Sequence, residues 1–261
     1  MAKSKNPRLC QLKTPFEDNS KSSWQKEYPR PQLKRDNWQS LCGSWQLSVK
    51  TADNRTTDLG DIIVPYPPES RISGVMRLLA ENEQYIYNNT FALDGDCRDK
   101  KILLHFGAVD THCTVFVNGL KAGSHSGGYL PFSLDITHLV FTDKENTITV
   151  EVSDPLDIEL AYGKQKRNRG GMWYTPVSGI WQPVWLESVV EKHIENIRIT
   201  PYIDRVDVEV FGGEEEKQMV ISTPDGDIVH SFSGSKTTVQ IDNAVNWTPE
   251  NPYLYTFTIT R

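Results

Sequence analysis

The chain has 261 residues, 38% of them apolar and 24% charged, with a formal net charge of −6. That length can bury a proper core without metal or disulfide staples, and two domains are the better expectation. The acidic balance implies no basic face for nucleic acid, and no run approaches the roughly 18 apolar residues that a membrane helix requires.

The four cysteines, Cys10, Cys42, Cys97 and Cys113, show neither CxxC spacing nor a repeating interval, so free thiols are expected. The six histidines are dispersed without HxH or HExxH spacing; neither zinc nor any other cofactor is expected. The opening MAKSKNPRLCQLKTPFEDNS is polar and lacks the apolar stretch of a signal peptide, which predicts a cytoplasmic location. Without such a signal, the N-x-S/T triplets at Asn54, Asn88 and Asn246 mean little.

Period-two patterns dominate, so the expected class is all-β. In chain order, PQLKRDNWQSL (residues 31–41) is expected to hold one or two helical turns, with Pro31 opening them and Gly43 closing them. KILLHFG (101–107) and THCTVFVNG (111–119) predict consecutive strands, the second placing Cys113, Val115 and Val117 on one face. Asn118 and Gly119 supply the positive φ angles of a tight hairpin, and LKAGSH returns as the partner strand. Gly127 and Gly128 predict a bend that carries Tyr129 and Phe132 into the core. NTITVEVSD alternates Ile148, Val150 and Val152 inward, and Asp154 with Pro155 ends it.

From about residue 190 the pattern restarts as a second, smaller sandwich. Val206, Val208 and Val210 alternate with Asp207 and Glu209, the mark of a strand with one wet face. A hairpin at Asp225 and Gly226, the strand TTVQI and the final YLYTFTITR follow. Five or six strands are countable, fewer than the usual seven or so of an immunoglobulin-type sandwich, so its last strand is expected to be lacking. Glu214, Glu215 and Glu216 predict a solvated turn.

MWYTPVSGIWQPVWLE (172–187) contains three of the seven tryptophans. An indole buries a large area and carries an N–H that needs a partner, so the cluster is either core or a platform for a flat polar ligand such as a sugar. Trp181 and Trp185 are expected in the core, whereas Trp173, beside two glycines and the basic run of residues 164–169, suits either role. Ser126 with His125 lacks the GxSxG elbow of a hydrolase and is expected to be structural. Asn82 and Glu83 form the sequence's one Asn-Glu pair but precede the strand YIYNNTF, where a solvated turn is expected.

Four segments, in order, resemble the N-terminal non-catalytic region of glycoside hydrolase family 2, which includes bacterial β-galactosidases, β-glucuronidases and β-mannosidases. They are YPRPQLKRDNWQSLCGSWQL (28–47), IIVPYPPESRISGV (62–75), LLHFGAVDTHCTVFVNGLKAGSHSGGYLPFSLDIT (103–137) and SGIWQPVWLE (178–187). Cys42 stands where Asn is usual, Asn88 and Asn89 where an Arg pair is common, and Gly171 where some members carry a substrate-reaching Asp.

The resemblance implies a galactose-binding-like jelly-roll β-sandwich over residues 1–190, with an N-terminal extension, then an incomplete immunoglobulin-like β-sandwich over 191–261. In the family the catalytic pair of carboxyl groups, about 5–5.5 Å apart in a retaining enzyme, sits in a barrel that would need about 250 further residues. No catalytic residue is therefore expected in this chain, which alone should be inert. Arg169, Trp173 and Tyr174 are the candidate ligand contacts, at the rim of the barrel's sugar site. The implied partners are carbohydrate, met through the parent enzyme, and the C-terminal barrel, with oligomer contacts as a further role. A free-standing carbohydrate-binding module is the alternative, and a purely structural buttress the third reading.

Overall fold

A computed structural model describes residues 27–30, 33, 35–95, 97, 99–168, 170–213 and 217–260. Cys10, Pro31, Arg169 and Glu214 to Glu216 lie outside the described residues. The contacts divide the chain into two units, Met1–Val189 and Val190–Arg261.

The first unit holds twelve named strands: β1 (Trp38–Ser40), β2 (Gly43–Lys50), β3 (Thr56–Val64), β4 (Gln84–Phe91), β5 (Lys101–Phe106), β6 (Val109–Asp110), β7 (His112–Val117), β8 (Leu120–Ser126), β9 (Phe132–Asp135), β10 (Asn146–Ser153), β11 (Gly179–Ile180) and β12 (Val184–Val189). They form a six-stranded sheet, β3-β2-β4-β10-β7-β8, a four-stranded sheet, β1-β12-β5-β9, and the short pair β11-β6. Alternation decides which faces meet. Leu47, Tyr85, Tyr87, Val115, Val117, Ile148, Val150 and Val152 from the large sheet share one core with Ile102, Leu104, Phe106, Val184 and Leu186 from the small one. Each such aliphatic side chain contributes about 1.5–3 kcal/mol by leaving water. Cys113 joins this core from β7, where burial pushes its thiol up to about 12.

Asn118 (φ 51°) and Gly119 (φ 79°) make the predicted hairpin between β7 and β8. The predicted helix does not form where the chain is described: Trp38 to Ser40 run antiparallel to β12, Trp38 opposite Glu187 and Ser40 opposite Trp185. Among the described residues the helical content is a 3-10 turn at Arg71–Ser73, capped by Ser70. Tyr129 also departs from expectation. It is 46% exposed, while Phe132 turns inward and stacks on Phe106 with ring centroids 4.9 Å apart.

A charged cluster fastens the chain ahead of β1 to the small sheet. The Glu187 side chain is fully buried on β12, with Arg35 Nε 2.6 Å from its Oε2, the Tyr28 hydroxyl donating to Oε1 and the Trp185 indole donating to Oε1 at 3.0 Å. His105 on β5 stacks on Trp185 at 4.9 Å and faces the same carboxylate with Nε2 at 3.5 Å. Arg30 can only donate, so its 2.9 Å contact makes His105 Nδ1 the acceptor and leaves the ring proton on Nε2, toward Glu187. Burial alone would raise the Glu187 carboxyl, but hydrogen bonding from His105, with Tyr28 and Trp185, holds it well below the usual range.

The second unit has β13 (Ile194–Pro201), β14 (Arg205–Gly212), β15 (Gln218–Ser222), β16 (Ile228–Ser233), β17 (Lys236–Gln240) and β18 (Thr256–Thr260). They form two three-stranded antiparallel sheets, β13-β14-β17 and β16-β15-β18. Val208, Val210 and Met219 make one buried cluster, and Ile221, Val239 and Ile241 another. Both units are all-β sandwiches, a jelly roll and an immunoglobulin-like domain.

Candidate functional site

A long connection, residues 154–178, leaves the end of β10 and returns as β11. Its glycines explain its path: Gly163 and Gly171 take φ of 67° and 61°, backbone that side-chain-bearing residues rarely adopt. Gln165 organises the interior. Its amide nitrogen donates to the Tyr162 carbonyl (2.7 Å) and the Tyr129 hydroxyl (3.3 Å), while its amide oxygen accepts from the backbone of Val177 at 2.5 Å. The backbone of Tyr174 meets the other arm of the loop through Lys164 O (2.8 Å) and Lys166 N (3.2 Å).

This arrangement leaves aromatic surface facing water. Trp173 is 37% exposed and Tyr174 66%, beside the exposed Met172, and the Lys166 ammonium lies 5.4 Å from the Trp173 ring centroid. Trp181 is half-buried, its indole donating to Gly128 O at 2.8 Å and its ring meeting Tyr129 edge-on at 6.1 Å. Trp185 is core. Of the three candidate contacts, Trp173 and Tyr174 therefore sit together on one exposed loop, and Arg169 lies outside the described residues.

Beneath the loop lies a group that local sequence patterns did not single out. Buried Glu69 accepts from the Ser178 hydroxyl and, at 3.2 Å, from the Ser178 backbone, so it grips the loop's far end. Buried Asp154 begins the loop and accepts from Leu156 N at 3.0 Å. Asp110, also buried, ends β6 and accepts from the Thr111 hydroxyl. Gly128 runs so close to Asp110 that a Cβ there would strike the carboxyl. Arg167 reaches down to three carbonyls, Asp154 O (2.5 Å), Leu79 O (3.2 Å) and Pro155 O (3.3 Å). Burial raises all three acids, Glu69 to about 7 and Asp110 to about 6, and the charge of Asp154 adds to both. The one visible signal was that Glu69 and Ser178 both fall within family-like segments.

The remaining candidates are held in contacts of their own. Glu83 forms a bidentate pair with Arg77 (2.8 and 2.7 Å) and caps Ala80 N. His125 stacks on Phe132 at 4.2 Å, and Ser126 bonds instead to His112 Nδ1, directly opposite it across β7 and β8, at 2.9 Å.

Comparison with known proteins matches residues 69–198 to the glycosyl hydrolase 2 galactose-binding domain-like family and residues 192–261 to glycosyl hydrolases family 2. A β-glucuronidase of Paenibacillus borealis is 27% identical over 258 residues, which is 88% of this chain and 43% of that protein. A β-galactosidase of Thermoanaerobacter pseudethanolicus is 26% identical over 192 residues, 66% of this chain and 25% of that one. Among solved structures, a Ruminococcus gnavus β-glucuronidase superposes with a TM-score of 0.68 at 22% identity, covering 89% of this chain and 44% of its own. The Faecalibacterium prausnitzii β-glucuronidase gives 0.67 at 22%, covering 90% and 45%. At that identity the likeness speaks for the fold. The chain thus spans less than half the length of these relatives. Two sandwiches, matched in order by the two successive domains of one family, place this chain in glycoside hydrolase family 2.

Proposed function

We propose that this chain is the non-catalytic N-terminal part of a family 2 β-glycosidase, and that its jelly roll presents the Trp173 and Tyr174 loop to the rim of the sugar site in a C-terminal catalytic barrel. The observation that carries this reading is the exposed aromatic pair on a loop braced by Gln165 and Arg167. An aromatic face held in place at its base is suited to stacking on a sugar ring, because little freedom is lost when the ligand arrives. The chemistry, hydrolysis with retention through a glycosyl-enzyme, belongs to carboxyl groups outside these two sandwiches.

Two measurements test this. The purified 261-residue chain is expected to release no nitrophenol above buffer from aryl β-galactosides or β-glucuronides; measurable turnover would overturn the non-catalytic assignment. In the barrel-bearing enzyme, Trp173→Ala is expected to raise KM roughly tenfold with kcat little changed, the signature of lost uniform binding. An unchanged KM would leave the loop a buttress, and tight calorimetric binding of galactosides or glucuronides by the isolated chain would favour a free-standing carbohydrate-binding module.

A further inference from the structure

We propose that the outer edge of β18 is an interface between two copies of this 261-residue chain, Thr256–Thr260 pairing antiparallel with the same strand of a second copy about a two-fold axis at Thr258. The contact belongs to the second unit and stands whether or not the first unit meets a sugar. β18 ends the order β16-β15-β18: it pairs with β15 along one side and, among the described residues, with no strand along the other. Such an edge presents a row of backbone donors and acceptors that a further strand can take up.

The other sheet edges are guarded. β13 carries Glu195 and Arg198 and a register shift, β17 carries Lys236, and β16 runs against β15 with a register shift. In the first unit, β3 carries Asp58 and Asp61, β8 carries Lys121 and a register shift, and β9 ends at Asp135. β1 is three residues long, and β6 and β11 are two. Charge, bulges and shortness are the means by which native edges avoid pairing. β18 has none of them: it reads TFTIT over five residues in unbroken register with β15.

The strand is its own best match, because its pattern reads alike in both directions. Antiparallel pairing about Thr258 sets Thr258 opposite Thr258 of the second copy, Phe257 opposite Ile259 and Thr256 opposite Thr260. Since side chains alternate, that register keeps each face consistent. Phe257 and Ile259, partly buried against the core of the unit, meet their counterparts on the inner face, while the exposed threonines align on the outer one. Aromatic and β-branched pairs, and threonine pairs, are favourable when directly opposed. Charge permits two identical surfaces to approach: neither β18 nor β15 beside it holds a charged residue, in a chain of net charge −6. The contact is isologous, so it closes as a dimer and joins the two three-stranded sheets into one. One strand pair is small against the roughly 1,200–2,000 Å² of a stable complex, so the dimer is expected to be reversible and micromolar.

Sedimentation equilibrium of the purified 261-residue chain between about 1 and about 200 μM is expected to show a reversible monomer–dimer equilibrium. Thr258→Lys and Thr258→Glu, at an exposed position of the strand, each set like charges face to face across the axis and are each expected to weaken the dimer roughly tenfold or more. Mixing the two variants sets opposite charges face to face, and a heterodimer roughly tenfold tighter than either homodimer is expected. If a Thr258 variant fails to fold, the flanking pair gives the same contrast within one protein: Thr256→Lys with Thr260→Lys is expected to weaken the dimer, and Thr256→Lys with Thr260→Glu to keep it. A wild-type chain that stays monomeric throughout overturns the proposal and leaves the edge to another strand of a longer polypeptide. A dimer that the like-charge variants do not weaken, or that opposite charges do not restore, overturns it too.

Discussion

Glu187 shows how much one buried residue can organise. Its carboxylate is out of water, and what makes that tolerable is the company it keeps: Tyr28 and Trp185 donate to Oε1, while Arg35 ahead of β1 and His105 on β5 stand 2.6 and 3.5 Å from Oε2. Removing the acid strands the arginine and the histidine together. Glu187→Ala is expected to cost about 3–5 kcal/mol in urea unfolding, the range for breaking one side of a buried ion pair. The same group sets an acid limb. A carboxyl held below its ordinary 4.5 stabilises the fold fully above that value, and the contribution drains away as pH falls further. Unfolding curves should therefore show a loss of stability below about pH 4.5 in the wild type that is much reduced in Glu187→Ala.

At the scale of elements, the short pair β11-β6 is the most constrained. Gly179 has φ 77°, and a Cβ there would run into the hydroxyl of the fully buried Tyr87. Gly179→Ala is expected to destabilise by about 1–3 kcal/mol from overpacking, with roughly 1–2 more for the left-handed backbone. Tyr87→Phe removes the oxygen that the methyl group would meet, so the double variant should recover part of the loss; strict additivity in the four-way comparison would show that the two residues do not touch.

The same elements show what could be read from sequence. β7, β10 and β14 were legible because apolar and polar residues alternate along them and one face is buried, so period and burial coincide, and β5 because it is a short apolar run. β1, β6 and β11 were not, because three or two residues give no period and their partners are remote. Trp38 pairs with Glu187, and local helix signals at Pro31 and Gly43 could not compete with that ladder. Tyr129 was misplaced for a related reason: the bend at Gly127 and Gly128 was legible, but not the approach of Asp110, which the Gly128 backbone skirts. Trp173, left open in the sequence between core and platform, and Tyr174, a candidate through the family resemblance alone, are placed on the surface by the structure. The acids beneath them were not legible, since Glu69, Asp110 and Asp154 are far apart in the chain and meet only through the sheet order.

The molecule as a whole carries separate cores. One large cluster fills the jelly roll, and two small ones fill the immunoglobulin-like unit, whose strands leave many apolar residues only partly covered. Leu47→Ala, at a fully buried position of the first core, is expected to cost about 2–5 kcal/mol and to lower the melting of the first unit. Met219→Ala, fully buried in the second, should act on the second unit in the same way. Calorimetry that resolves two transitions, each moved by its own variant, checks this; one transition moved equally by both would refute separate cores.

The thiol of Cys113 turns that architecture into something measurable. It sits on a strand in the interior of the six-stranded sheet and holds its proton up to about 12, so at neutral pH it has neither the exposure nor the thiolate needed to react. A modifying reagent can reach it only when the jelly roll parts around β7. Its labelling rate under native conditions is therefore a built-in clock for that opening, with Cys42, half-buried at the start of β2, as the faster hand. Followed across the variants above, the slow hand would report how often this scaffold breathes, without any probe being added to it.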